Sequence, residues 1–225
     1  MTLFQRLKTA AEAEWSAYTD HSFLHQLEAG TLPKAAFQNY LIQDYLFLIQ
    51  FARAYALAAY KGRTLADITQ GLRGLSASVE ETELHVRLCA RWGISREEME
   101  ATPEHPATVA YTRYVLDAGM RGDLLDLQVA LAPCVVGYAE IGARLQPALD
   151  ANPDHPYADW IAEYASDQSQ QLATDAVADI DALGERFLPE GRFNEVAETF
   201  ATATRMEAAF WQMGLETPVG AQTLG

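Results

Sequence analysis

Three residues of this chain stand where their chemistry needs a reason: Cys134, Asp44 and Glu207. Cys134 lies in the apolar run Leu131-Ala132-Pro133-Cys134-Val135-Val136-Gly137-Tyr138. A proline inside a helix removes one backbone hydrogen bond and clashes with the carbonyl four residues back, a cost of about 3 kcal/mol, so Pro133 implies a kink directly before the thiol. At helical spacing Gly137 shares the face of Pro133 and leaves room for a neighbouring helix or a ligand, while Tyr138 lies one turn from Cys134. Free cysteine is among the most buried residue types, so an inert core thiol is one reading of Cys134 and a functional thiol is the other. Cys89, in an amphipathic stretch with Leu88 and Trp92, fits the inert reading and receives no role.

Asp44 interrupts the aromatic and aliphatic run from Tyr40 to Leu48 and shares a helical face with Leu41, Phe47, Leu48 and Phe51. An ionised carboxylate on a buried face is costly without a partner, so Asp44 calls for one, and a structural ion pair would suffice. Glu207 poses the same problem beside Phe210 and Trp211. Two acids in aromatic surroundings, far apart in sequence, suggest a polar pocket inside a bundle. Glu81 and His85 have the i, i+4 spacing of two metal ligands on one helix face, and helical bundles do house di-iron sites. Such a site needs a comparable pair from other helices, and no second acid-histidine pair at this spacing falls within a predicted helix. No metal is expected, and Glu81 and His85 are assigned to a solvated charged face.

The elements that must position these residues are helical throughout. Apolar residues recur at three- and four-residue spacing and alternating β-branched runs are nearly absent, which predicts an all-α bundle. Helices are expected over Leu3–Tyr18, Ser22–Ala29, from Thr31 as N-cap to Lys61, over Thr64–Trp92 with Gly93 as a left-handed cap, Ser95–Ala101 with a Ser95/Glu98 capping box, Ala107–Ala118, Leu124–Leu149, Tyr157–Ala165, Ser169–Phe187 and Phe193–Gly214. Residues 1–214 are read as a single domain, and 215–225, with Pro218 and two glycines, as a flexible tail.

Composition narrows the function classes. The 225 residues carry 31 acidic and 16 basic side chains, a net charge of −15, and the basic residues form no cluster, so a phosphate backbone would be repelled. No leader peptide is read at the N-terminus, and polar or charged residues interrupt both of the most apolar stretches, so no membrane partner is expected. Two cysteines without an export signal are expected as free thiols in a reducing cytoplasm.

Gln43-Asp44-Tyr45 followed by Phe47-Leu48, the Ala110-Tyr111-Thr112 step, the run from Pro133 to Gly142, Trp160 with Tyr164, and Glu207 with Phe210-Trp211 and Met213 together resemble the thiaminase II family, the TenA-type aminopyrimidine aminohydrolases. The likeness spans about residues 3–214, and the Pro-Cys run is its most specific part. It implies a haem-oxygenase-like helical bundle, usually a homotetramer, without haem, metal or other cofactor. The implied reaction hydrolyses 4-amino-5-aminomethyl-2-methylpyrimidine to the hydroxymethyl pyrimidine in thiamin salvage, and many members also cleave thiamin. On this resemblance Cys134 matches the nucleophile that adds as thiolate to the pyrimidine ring. Asp44 matches the carboxylate that grips the aminopyrimidine edge, and Glu207 the acid that shuttles a proton to the ring. Tyr111 and Tyr164 match hydrogen-bonding tyrosines, and Tyr138 and Phe47 the aromatic walls of the ring site. Phe47 departs from the tyrosine found in many members, which is expected to alter preference among leaving groups. Two other classes stay open: a pyrimidine-binding or regulatory protein without turnover, and a metal-dependent oxidase on the same bundle.

Overall fold

The structure, a computed structural model, describes residues 1–216. Among them are eleven helices and no strand: α1 (Leu3–Ala10), α2 (Glu12–Thr19), α3 (Ser22–Glu28), α4 (Lys34–Lys61), α5 (Leu65–Ala90), α6 (Arg96–Ala101), α7 (Pro106–Arg121), α8 (Leu124–Ala151), α9 (Ala158–Ala165), α10 (Asp167–Phe187) and α11 (Phe193–Leu215). The all-α expectation holds. Leu215 closes α11, and residues 217–225 of the expected tail lie outside the described residues.

The long helices α4 and α5 form a hairpin, and α8 packs against α7, α9, α10 and α11. By length and composition α8 could cross a membrane, but 78% of its most apolar window is buried inside the bundle. Its apolar faces are therefore met by neighbouring helices rather than left free. Two glycines allow the approaches that shape the site. A Cβ on Gly137 would lie 2.2 Å from the Tyr18 ring, and one on Gly142 would lie 2.3 Å from the Tyr164 backbone. The room that Gly137 leaves is thus filled by α2, while Gly142 lets α9 settle on α8 and fixes Tyr164.

The helix boundaries follow the local chemistry, with three departures. The first expected helix breaks at Ala11 (φ −113°, ψ 32°), so that Leu3, Phe4 and Leu7 face α10 and α11 while Trp15 and Tyr18 turn toward α11 and α8. Periodicity alone cannot register such a break, because both halves keep an apolar face. Thr31 is not the N-cap of α4. Pro33 occupies that position, and the Thr31 hydroxyl donates instead to the Gln26 carbonyl. Finally, α7 runs through Gly119 to Arg121, and Leu127 and Leu57 pack where a Cβ on Gly119 would sit. The capping box of Ser95 with Glu98 and the left-handed Gly93 (φ +75°) are as expected. Helix α8 is continuous through Pro133 and Pro147.

Candidate active site

The α4/α5 hairpin brings Asp44 against His85. The carboxylate is buried, and its Oδ2 accepts a hydrogen bond from the Tyr40 hydroxyl at 2.9 Å and lies 2.7 Å from His85 Nε2. His85 Nδ1 lies 2.9 Å from the backbone carbonyl of Glu81, which can only accept, so Nδ1 carries a proton. Burial opposes a charge on this ring, but the hydrogen bond and the charge of Asp44 prevail and raise its pKa above the usual histidine value. Both ring nitrogens therefore face acceptors, and Asp44 has the counter-ion that a buried acid requires. The Tyr40 hydroxyl also accepts from the Trp160 indole at 3.2 Å and lies 3.4 Å from the Tyr138 hydroxyl.

Glu207 on α11 is equally buried, and its Oε1 accepts from the Tyr111 hydroxyl of α7 at 2.8 Å. Burial pushes its carboxyl up to about 8, against the opposing effect of Tyr111 and with added repulsion from Asp44 and Glu81. Glu207 therefore carries a proton at neutral pH. Glu81 on α5 accepts from the Tyr164 hydroxyl, and burial followed by repulsion from Asp44 pushes it up to about 7.

Cys134 is half-buried on α8. Burial and then the charges of Glu207, Glu81 and Asp44 push its thiol well above the ordinary range. At neutral pH the group is a thiol, in contrast to the standing thiolate of cysteines in electropositive sites. Cys89 is fully buried, and burial alone pushes it up to about 11, as befits a packed core thiol.

A cleft opens between α5, α8 and α10, and its walls include Cys134, Tyr138, Tyr164 and Glu81 together with Phe51 and Tyr55. Of the residues singled out in the sequence, Cys134, Tyr138 and Tyr164 thus line the cleft directly. Asp44, Glu207, Tyr111 and Phe47 form a buried layer behind it, tied to the wall through Tyr40 and Tyr138. Phe47 packs on Tyr111 and Phe210, with ring centroids 5.0 and 5.5 Å away, and does not face Tyr138 across the cleft.

Two members of the site were misplaced by sequence reasoning. Glu81 and His85 were assigned to a solvated face, yet His85 is fully buried and Glu81 lines the cleft. The spacing Ser78, Glu81, His85, Leu88 places them on the inward stripe of α5, a signal hidden by the many charged residues between them. One donor atom from each of Asp44, Glu81 and His85 lies within 4.8 Å of the others, a spacing that could suit a cation. His85 and Asp44, however, are in direct hydrogen-bond contact, so a shared proton holds these two groups together.

The bundle thus places a thiol, one carboxyl and aromatic rings on the wall of one cleft, with two further carboxyls buried behind it. The chain belongs to the TENA/THI-4/PQQC family, whose model matches residues 9–217. It is 42% identical to an uncharacterized protein of Haemophilus influenzae over 95% of this chain and 99% of that one. It is 37% identical to an aminopyrimidine aminohydrolase of Halalkalibacterium halodurans, with 95% of each chain covered. Among solved structures, that of a protein from Silicibacter sp. TM1040 described as a TenA family transcription regulator is 46% identical, with a TM-score of 0.88 over 95% of this chain and 96% of that one.

Proposed function

We propose that this protein is an aminopyrimidine aminohydrolase of thiamin salvage that replaces the amine on the aminomethyl arm of 4-amino-5-aminomethyl-2-methylpyrimidine by hydroxyl. The observation that carries the reading is the position of Cys134, on the cleft wall beside Tyr138 and Tyr164. Likeness to the Halalkalibacterium aminopyrimidine aminohydrolase over nearly the whole chain supports the reaction class.

In this reading the thiol adds across the pyrimidine ring. Sulfur bonds to a ring carbon, the ring nitrogen takes a proton from Glu207, and the thiol proton replenishes the carboxyl, so no standing thiolate is required. The leaving group departs from the exocyclic methylene with its electron pair, water bonds there, and the cysteine is expelled. Asp44, braced by His85 and Tyr40, makes no hydrogen bond through Oδ1 among the described residues, and that oxygen takes the amino edge of a ring that passes Tyr138 into the buried layer. Thiamin is a second substrate of the same chemistry.

The protein is further proposed to be a cytoplasmic homotetramer. Leu65, Ile68, Leu72 and Val79 are exposed along one stripe of α5, and apolar stripes of this kind mark association surfaces.

The test is Cys134→Ser assayed on the aminomethyl pyrimidine by mass spectrometry. Loss of the hydroxymethyl product with an unchanged circular dichroism spectrum is expected, and undiminished turnover overturns the reading. The description of the Silicibacter structure favours a second reading, a pyrimidine-responsive regulator. Binding of the pyrimidine by the native protein without product would support it.

A further inference from the structure

Hydrolysis at the exocyclic methylene poses a proton problem that the residues assigned so far leave open. The aminomethyl group enters as an ammonium and leaves as ammonia, carrying away the electrons of its carbon–nitrogen bond. The water that replaces it must lose a proton as its oxygen bonds to carbon. Glu207 already holds a proton at neutral pH and serves as an acid. Asp44, paired with His85 and Tyr40 through Oδ2, is assigned to the amino edge of the ring rather than to the methylene. A base at the methylene must be a different group.

Glu81 meets the geometric requirements. Its side chain lines the cleft beside Cys134, Tyr138 and Tyr164. The Tyr164 hydroxyl holds its Oε1, while Oε2 makes no hydrogen bond among the described residues. Glu81 and Tyr164 also border a second, outer cleft between α5 and α10. The carboxyl thus stands between the thiol and a route by which water enters and protons leave.

Resting on the hydrolase reading above, we propose that Glu81 is the general base of the hydrolytic step, binding the cationic leaving group as a carboxylate and then taking the proton of the water that replaces it. Charge complementarity supports the first role, since the two carboxylates of Asp44 and Glu81 face the single basic side chain of His85. In the second role the water O–H bond breaks toward Oε2 as the new carbon–oxygen bond forms. The proton then passes from Glu81 to the released ammonia or to solvent, so no oxidant or further reactant is needed.

The titratable groups that face Glu81 are Asp44 and Tyr55 from α4, His85 from its own helix, Cys134 from α8, Glu163 and Tyr164 from α9, and Glu207 from α11. Burial and Asp44 raise its carboxyl, while His85 and Tyr164 pull the other way, leaving it at about 7. A base must be ionised to act, so activity is expected to fall as pH drops below this value and to hold above it until Glu207 loses its proton.

The test is Glu81→Gln, a change of nearly equal shape, assayed on the aminomethyl pyrimidine with and without sodium azide. Azide is an anion that needs no deprotonation to attack the methylene. Hydroxymethyl product is expected to fall about 100-fold and the acidic limb of the pH profile to vanish. Azide should restore turnover to within about tenfold of the native rate, with azidomethyl pyrimidine as product. Glu81→Asp, which keeps the carboxylate, should retain the acidic limb at an intermediate rate, and it reports on the base even if the glutamine variant folds poorly. Hydrolysis by the glutamine variant within about threefold of native, or a slow variant that azide does not rescue, overturns the role of Glu81. Native protein that releases no ammonia at all overturns the parent reading instead.

Discussion

Helix α5 carries two inward-facing carboxylates about four turns apart, and the molecule treats them in opposite ways. Asp67, at its N-terminal end, accepts from both Arg186 guanidinium nitrogens at 2.7 and 2.9 Å and from the backbone N–H groups of Arg63 and Thr64 at 2.9 and 3.2 Å. Those donors, Arg186 first, hold its carboxyl well below the usual carboxylate range. Among the described residues Glu81 has only a tyrosine hydroxyl, as does Glu207 on α11, and both are pushed up toward neutrality. A carboxylate saturated by charged and backbone donors keeps its charge and fastens helices together. One satisfied by a hydroxyl alone keeps a proton that can move near pH 7.

The contrast is tested most strongly at Glu207. Glu207→Gln preserves the shape and the contact with Tyr111 but removes the transferable proton, so kcat for the aminomethyl pyrimidine is expected to fall about 1000-fold. Thermal stability near neutrality should hold, because a protonated acid is replaced by a neutral amide of the same shape. A variant within about tenfold of the native kcat would remove Glu207 from proton transfer and leave it a packing residue.

Asp67→Asn should behave in the reverse sense. Losing the bidentate arginine contact at the foot of α5 is expected to cost about 2 kcal/mol of stability, read by urea unfolding, with kcat unchanged. Because the folded pKa of Asp67 lies below its unfolded value, its contribution is complete above the ordinary aspartate range. It is lost as pH falls toward the folded pKa. The native protein and the Asp67→Asn variant should therefore converge in stability under acid. A loss of activity as large as that of Glu207→Gln would erase the distinction between the two kinds of site.

How much of this was legible in the sequence depended on what each signal measures. Helices, caps such as Ser95 with Glu98 and the inward positions of Asp44 and Glu207 follow from periodicity and local hydrogen bonding, which a single chain segment fixes. The break at Ala11 did not show, because tertiary packing on two different neighbours decides it. The partners of Asp44 were equally hidden. His85 lies 41 residues away on another helix, and with Glu81 it was read as part of a solvated charged face. The fold instead gives His85 to Asp44 and Glu81 to Tyr164, a division that only the hairpin geometry can specify. Phe47 was read as a wall of the ring site from resemblance, whereas its packing on Tyr111 and Phe210 places it one layer back.

The finest probe of the comparison is the hydroxyl that separates Glu207 from an unsatisfied acid. Tyr111→Phe keeps the ring, with its packing against Phe47, and deletes only the donor to Oε1. That donor stabilises the ionised form, so removing it should raise the Glu207 carboxyl further above about 8. Glu207 acts as an acid, active while protonated, so activity is lost as pH rises through its pKa. A higher pKa moves this alkaline limb upward, by about one pH unit, while kcat near neutrality falls only about threefold for want of a positioned proton. The acidic limb, which belongs to Glu81 and Tyr164, should stay where it is. If the alkaline limb moved downward or the acidic limb shifted in its place, the two carboxyls would have exchanged roles, and the division of labour between α5 and α11 would have to be reversed.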